Sequence, residues 1–194
     1  MSALSDMLLS QLDGSAFSAL SQTLGADGDA TKKATAMALP MLMSALAKNA
    51  GSADGAAALD RALEKDHDGS VLEDLAQGLT RGSEGAGILK HVLGGRQSQV
   101  ASGIAAASGL DSNQSGNLLA SLAPLVMGAL GKQKRSQGLD AGALASMLSQ
   151  EGGAAKSQLG GLAGLLDQDG DGSIADDVLG GLAKGLGGKL FGKG

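Results

Sequence analysis

Cysteine is absent from this 194-residue chain, which excludes disulfides, thiolate metal sites and thiol nucleophiles and leaves the redox state of its compartment unconstrained. Aromatic side chains are almost as scarce, with Phe17 and Phe191 the only two. The stacking platforms of single-strand nucleic-acid binders therefore cannot be built, and a formal net charge of -5 gives no uniformly basic footprint. Nucleic acid is discounted as a partner. No run approaches the roughly 18 apolar residues of a membrane span. The opening M-S-A-L-S-D-M-L-L-S-Q-L lacks a basic leader and carries Asp6 and Gln11 within its apolar stretch, unlike a secretory signal. A soluble, cytoplasmic protein is expected.

What remains to fill a core is Leu, Ala, Met and a few Val and Ile. Such side chains suit closely approaching helices, and the shortage of β-branched and aromatic residues argues against a sheet. Glycine, at 33 residues, is far above the usual share of about 7%. It clusters at expected helix ends and in the C-terminal third, where marginal structure is expected.

The chain repeats itself. A shift of 84 residues lays Ala38-Leu39-Pro40-Met41-Leu42-Met43-Ser44-Ala45-Leu46-Ala47-Lys48-Asn49 on Leu122-Ala123-Pro124-Leu125-Val126-Met127-Gly128-Ala129-Leu130-Gly131-Lys132-Gln133. The same shift puts Gly25 on Gly109, Asp27 on Asp111 and Leu20 on Ile104. This pattern reads as a diverged internal duplication of a helical unit of roughly 80 to 100 residues. A second copy with an insertion in the Gly-rich stretch near Gly152 to Gly161 is expected.

Capping chemistry and apolar spacing place the helices. Asp27 or Asp29 caps a helix running to Asn49, and Asp111 with Gln114 forms a capping-box pattern before a helix running to Gln133. Asp54 and Asp140 are expected caps of the next helix in each copy. Pro40 and Pro124 fall inside these patterns and should kink or divide them. Further helices are expected over 3–12, 16–24, 57–64, 71–79, 87–93, 97–108, 142–149, 159–166 and 174–190. Linkers are expected at Arg81 to Gly85 and Lys132 to Gly138, the latter a basic K-Q-K-R-S-Q-G stretch that reads as a solvated helix end.

The chemistry that stands out is an acidic loop found twice, L-E-K-D-H-D-G-S-V-L-E-D-L from Leu63 and L-D-Q-D-G-D-G-S-I-A-D-D-V from Leu166. Calcium takes six to eight hard oxygen ligands, and EF-hand loops place a glycine at their sixth position. In the second loop the ligands would be Asp167, Asp169, Asp171, the Ser173 carbonyl and, closing a shortened loop, Asp177 or Asp176, with Gly172 at the turn. In the first they would be Glu64, Asp66, Asp68, Ser70 and Asp74 or Glu73. Position 12, where EF-hand loops place a closing bidentate glutamate, is Leu75 in the first loop and Val178 in the second, so closure is poor and affinity would be weak, about 10⁻⁴ to 10⁻³ M. The competing explanation is helix capping, since Ser70 with Glu73 and Ser173 with Asp176 are each a serine with an acid three residues on. Both can hold together.

His67, inside the first loop, reads as exposed and inert, and His91 as a helix-surface residue. With no Ser-His-Asp arrangement, H-E-x-x-H or phosphate loop, no catalytic residue is assigned. From Leu179 to Gly194 a Leu stripe alternates with Lys184, Lys189 and Lys193, a cationic amphipathic pattern suited to an anionic membrane surface or a partner groove but weakened by its glycines; a frayed last helix packing its Leu stripe on the body is the preferred reading.

The motifs A-L-P-M-L-M-S-A-L-A-K-N, D-H-D-G-S-V-L-E-D-L, I-L-K-H-V-L-G-G-R-Q-S-Q-V, S-G-L-D and L-A-P-L-V-M-G-A-L-G, in that order, resemble the bacterial YidB-like family catalogued as a domain of unknown function. The resemblance runs from about Leu8 to Gly181 and implies a compact all-helical fold without an established reaction or catalytic residues to carry over. The expectation is thus an all-α, compact multi-helical bundle of two diverged copies. Residues 1–80 form the first unit, 86–182 a second packed with it as one domain in preference to two, and 183–194 a flexible tail. Function is expected to be a non-enzymatic scaffold or interaction protein with an unknown protein partner and structural Ca2+. The alternative is a peripheral membrane or envelope-associated factor acting through residues 179–194.

Overall fold

Local chemistry sets where the helices begin. Asp27 Oδ1 accepts the backbone N–H of Asp29 at 2.9 Å and of Ala30 at 3.1 Å, opening a helix at Gly28. Those two amide bonds, Ala30 first, hold the Asp27 carboxyl below its ordinary range. At Asp111 the expected capping box is complete: Gln114 N donates to Asp111 Oδ1 at 2.7 Å, and Asp111 N donates to Gln114 Oε1 at 2.9 Å. Asp140 caps as expected through Ala143 N at 2.8 Å. Asp54 does not. Ser52 Oγ takes the Gly55 N–H at 3.1 Å, and Asp54 lies in the first turn, where its charge suits the helix dipole.

In the computed structural model the described residues are 3–12, 14–67, 69–72, 79 and 82–166, with backbone alone at 3, 82, 83 and 155–166. They form eight α-helices and no strand: α1 Ala3–Gln11, α2 Gly14–Leu24, α3 Gly28–Ala50, α4 Ala53–Lys65, α5 Gly82–Val92, α6 Gln97–Ser108, α7 Ser112–Gln137 and α8 Ala141–Leu166. Short 3₁₀ turns at Ser70–Leu72 and Gly94–Arg96 complete them. The all-α fold agrees with the aliphatic composition. The second acidic loop (Asp167, Asp169, Asp171, Ser173, Asp176 and Asp177), Asp68, Glu73, Asp74 and the tail from Leu179 lie outside the described residues.

The buried apolar side chains make one cluster drawn from both halves of the chain, from Leu4 and Leu8 through Leu39, Leu42 and Met43 to Leu118, Leu122, Leu125, Leu144 and Leu148. Each fully buried leucine contributes roughly 1.5–3 kcal/mol relative to exposure. α3 and α7 run through its middle. α3 packs on α8, α7, α6 and α4, and α7 packs on α5, α6 and α3. The features of α3 and α7 recur at the 84-residue spacing: caps at Asp27 and Asp111, starts at Gly28 and Ser112, and left-handed glycines just before the caps at Gly25 (φ 60°) and Gly109 (φ 88°).

Several boundary expectations are corrected. Pro40 and Pro124 lie inside unbroken helices, so neither divides its helix. Each removes the donor to the carbonyl four residues back, Ala36 and Ala120. α7 continues past Gln133 to Gln137, so Lys132 to Gln137 is helix and not linker; Gly138 (φ 62°) ends it. Gly82 to Gly85 is likewise the first turn of α5. The helices expected at 142–149 and 159–166 are one, α8, which continues through Gly152, Gly153, Gly160 and Gly161. At Gly152 packing favours that continuity. A Cβ at Gly152 would stand 2.7 Å from the Ala47 Cβ and 3.8 Å from the Ser44 Cα, so this glycine lets α8 lie directly against α3.

Candidate functional site

The first acidic loop leaves the end of α4 and folds onto α7. Asp66 is the C-cap of α4, its N–H donating to Ala62 O at 3.0 Å, and Gly69 takes φ 89° to turn the chain into the Ser70–Leu72 turn. Glycines on α7 make room. A Cβ at Gly131 would overlap the His67 carbonyl oxygen, and one at Gly128 would overlap the Val71 Cγ1. Gly69 itself stands over Lys132, where a Cβ would meet the Lys132 Cβ at 3.0 Å and the Gly128 carbonyl at 3.3 Å.

Beside this seam sits a charged cluster that the sequence reading missed. Lys134 Nζ donates to Glu64 Oε1 at 2.6 Å and lies 3.0 Å from Asp60 Oδ1, joining α7 to α4. Lys134 is buried, so the expected solvated basic end holds one lysine that faces inward. The Glu64 hydrogen bond, opposed by burial and helped by Asp60, raises the Lys134 ammonium above its ordinary 10.5. Its contribution to stability is complete below 10.5 and is lost as pH rises through the raised folded value. A signal existed. Lys134 continues the stripe of Met127 and Leu130 on α7, and Asp60 and Glu64 share one face of α4 at a spacing of four.

His67 is corrected from exposed to largely buried, its side chain 10% accessible and Nδ1 3.8 Å from Glu84 Oε1. Burial pushes the imidazole below its ordinary 6.5, against the upward pull of Glu84 and then Asp66. Folding therefore favours the neutral ring. That contribution is intact above 6.5 and is lost as pH falls through the lowered folded value. Thermal melts between pH 7 and 4.5 should show a smaller loss of Tm for His67→Asn than for the parent protein; parallel losses would remove His67 from the acid response. His91 is exposed as expected, its Nδ1 2.9 Å from the Gly87 carbonyl on its own helix.

Of the proposed metal ligands, three are described. Glu64 is engaged by Lys134, Asp66 ends a helix, and Ser70 opens the 3₁₀ turn. Among the described residues no group of three or more His, Cys, Asp or Glu is gathered to hold an ion. No described helix is long and apolar enough to cross a membrane.

Residues 6–133 match the family described as "Bacterial protein of unknown function (DUF937)". The chain belongs to the DUF937 family. This agrees with the resemblance drawn from the ordered motifs, although the DUF937 match stops at Gln133 and not near Gly181. It takes in α1 from Asp6 onward, α2 to α6, the first acidic loop and most of α7; Lys134, α8 and the second acidic loop follow it. No curated protein and no solved structure matches the chain.

Proposed function

We propose that this DUF937 protein is a non-enzymatic helical scaffold that engages protein partners and takes calcium weakly through its second acidic loop. The observation that carries this is the use of reactive side chains for structure. Lys134, Asp60 and Glu64 tie α4 to α7, and the His91 ring lies against its own helix backbone. The His67 carbonyl, meanwhile, is pressed on α7 at Gly131.

Calcium is assigned to Asp167, Asp169, Asp171, the Ser173 carbonyl and Asp177 because three carboxylates within five residues repel one another without a cation, and Gly172 stands at the turn position. The first loop is the poorer ligand set, since binding there would have to draw Glu64 away from Lys134. Calorimetric titration of calcium into chelator-treated full-length protein should give saturable heat near about 10⁻⁴ to 10⁻³ M and a raised Tm. Both should vanish in Asp169→Ala, Asp171→Ala. No heat at millimolar calcium would reduce the loops to helix caps.

A further inference from the structure

We propose that α8 is an exchangeable arm, and that the groove it fills on α3 and α4 accepts the α8 of a second copy of this chain. α8 packs chiefly on α3 and α4 and makes no comparable contact with α7, the helix that precedes it. Everything substantial that α8 touches thus lies on the far side of the Gly138–Asp140 connection, so another copy can supply the same contacts unchanged. Complementarity is assured because the surface is already fitted: Leu144 and Leu148 are fully buried, and Gly152, four residues on, is the contact that admits Ala47.

The hinge is short and rests on one residue. Gly138 sits at φ 62°, with Leu139 N donating to Lys134 O at 2.9 Å, and Asp140 already caps α8. Were Gly138 to take right-handed helical angles, α7 would run on into α8 and carry the arm away from its own α3. Glycine holds the closed turn at no steric cost, whereas an L side chain disfavours it.

The 84-residue repeat gives the exchange a precedent within the chain. Ser44 and Ala47, where Gly152 lands on α3, align with Gly128 and Gly131, where the loop after α4 lands on α7. Each half therefore already places a segment that follows its central helix on the other half's central helix at the same two positions. A second copy repeats that arrangement between chains.

Gly152→Ala and Ala47→Gly form a complementing pair. In a mixed dimer the enlarged α8 meets the reduced α3, and the second junction is the natural Gly152 on Ala47. Full-length variants are mixed in equal amounts, unfolded in denaturant, refolded at high concentration and resolved by native mass spectrometry, with circular dichroism confirming helical content. The mixed dimer should exceed its binomial share several-fold. Dimers in binomial proportion would place the contact elsewhere and overturn the proposal, as would monomer alone at every concentration. Independently, Gly138→Ala in the otherwise natural chain should raise the refolded dimer fraction several-fold; an unchanged or smaller fraction would also overturn it.

Discussion

Gly85→Ala should destabilise the protein by about 3 kcal/mol, lowering Tm by about 6–12 °C at about 2–4 °C per kcal/mol for a chain of this size. The added Cβ would overlap the Ala120 carbonyl oxygen and crowd its carbon and Cα, all backbone atoms of α7 that no rotamer change can move aside. Ala120 is also the residue whose carbonyl loses its helical donor to Pro124, so Gly85 of α5 meets α7 where the ladder of α7 is interrupted. Gly87→Ala, two residues along the same helix with no atom within 4 Å of the new Cβ, should act in the opposite sense. It removes a helix-interior glycine and is expected to stabilise by about 0.8–1.0 kcal/mol. Far-UV circular dichroism melts measure both in a chain without Trp or Tyr. Equal shifts for the two variants would mean that α5 does not press on α7 at Gly85.

Leu144→Ala should cost about 2–5 kcal/mol, as much as Leu122→Ala. Both leucines are fully buried, yet Leu122 lies inside the family match and Leu144 beyond it. If α8 were an appendage, truncating Leu144 would cost under about 1 kcal/mol, and the denaturation midpoints of the two variants would separate clearly. α8 is further tied to the start of the chain, where Glu151 Oε2 accepts the Leu4 N–H at 3.2 Å. Denaturant unfolding with a common slope tests whether one cooperative core spans both leucines.

The caps and the core stripe could be read from sequence because their causes are local. Asp111 with Gln114, Asp140, and the helical spacing of Leu39, Leu42 and Leu46 and of Leu122, Leu125 and Leu130 involve residues within a turn or two of each other. What escaped depends on partners far along the chain. Lys134 looks like a surface lysine until Asp60 and Glu64 are brought beside it from α4. His67 looks like a loop residue until Gly131 lets its backbone settle on α7. The glycines of α8 forecast a break by propensity, and contact with α3 through Gly152 outweighs that preference. The α4 cap lies at Ser52, two residues before the expected Asp54, a shift between neighbouring capping residues that composition cannot decide.

The continuity of α7 through residue 133 bears on how the protein can be subdivided in the laboratory. A fragment trimmed to the family match would end in mid-helix, lose Lys134 while keeping Asp60 and Glu64, and strip α8 from α3. Such a piece would offer water an apolar stripe that the whole protein keeps covered, and would self-associate on expression. The smallest unit worth producing therefore extends through α8, well past the point where similarity to the family stops.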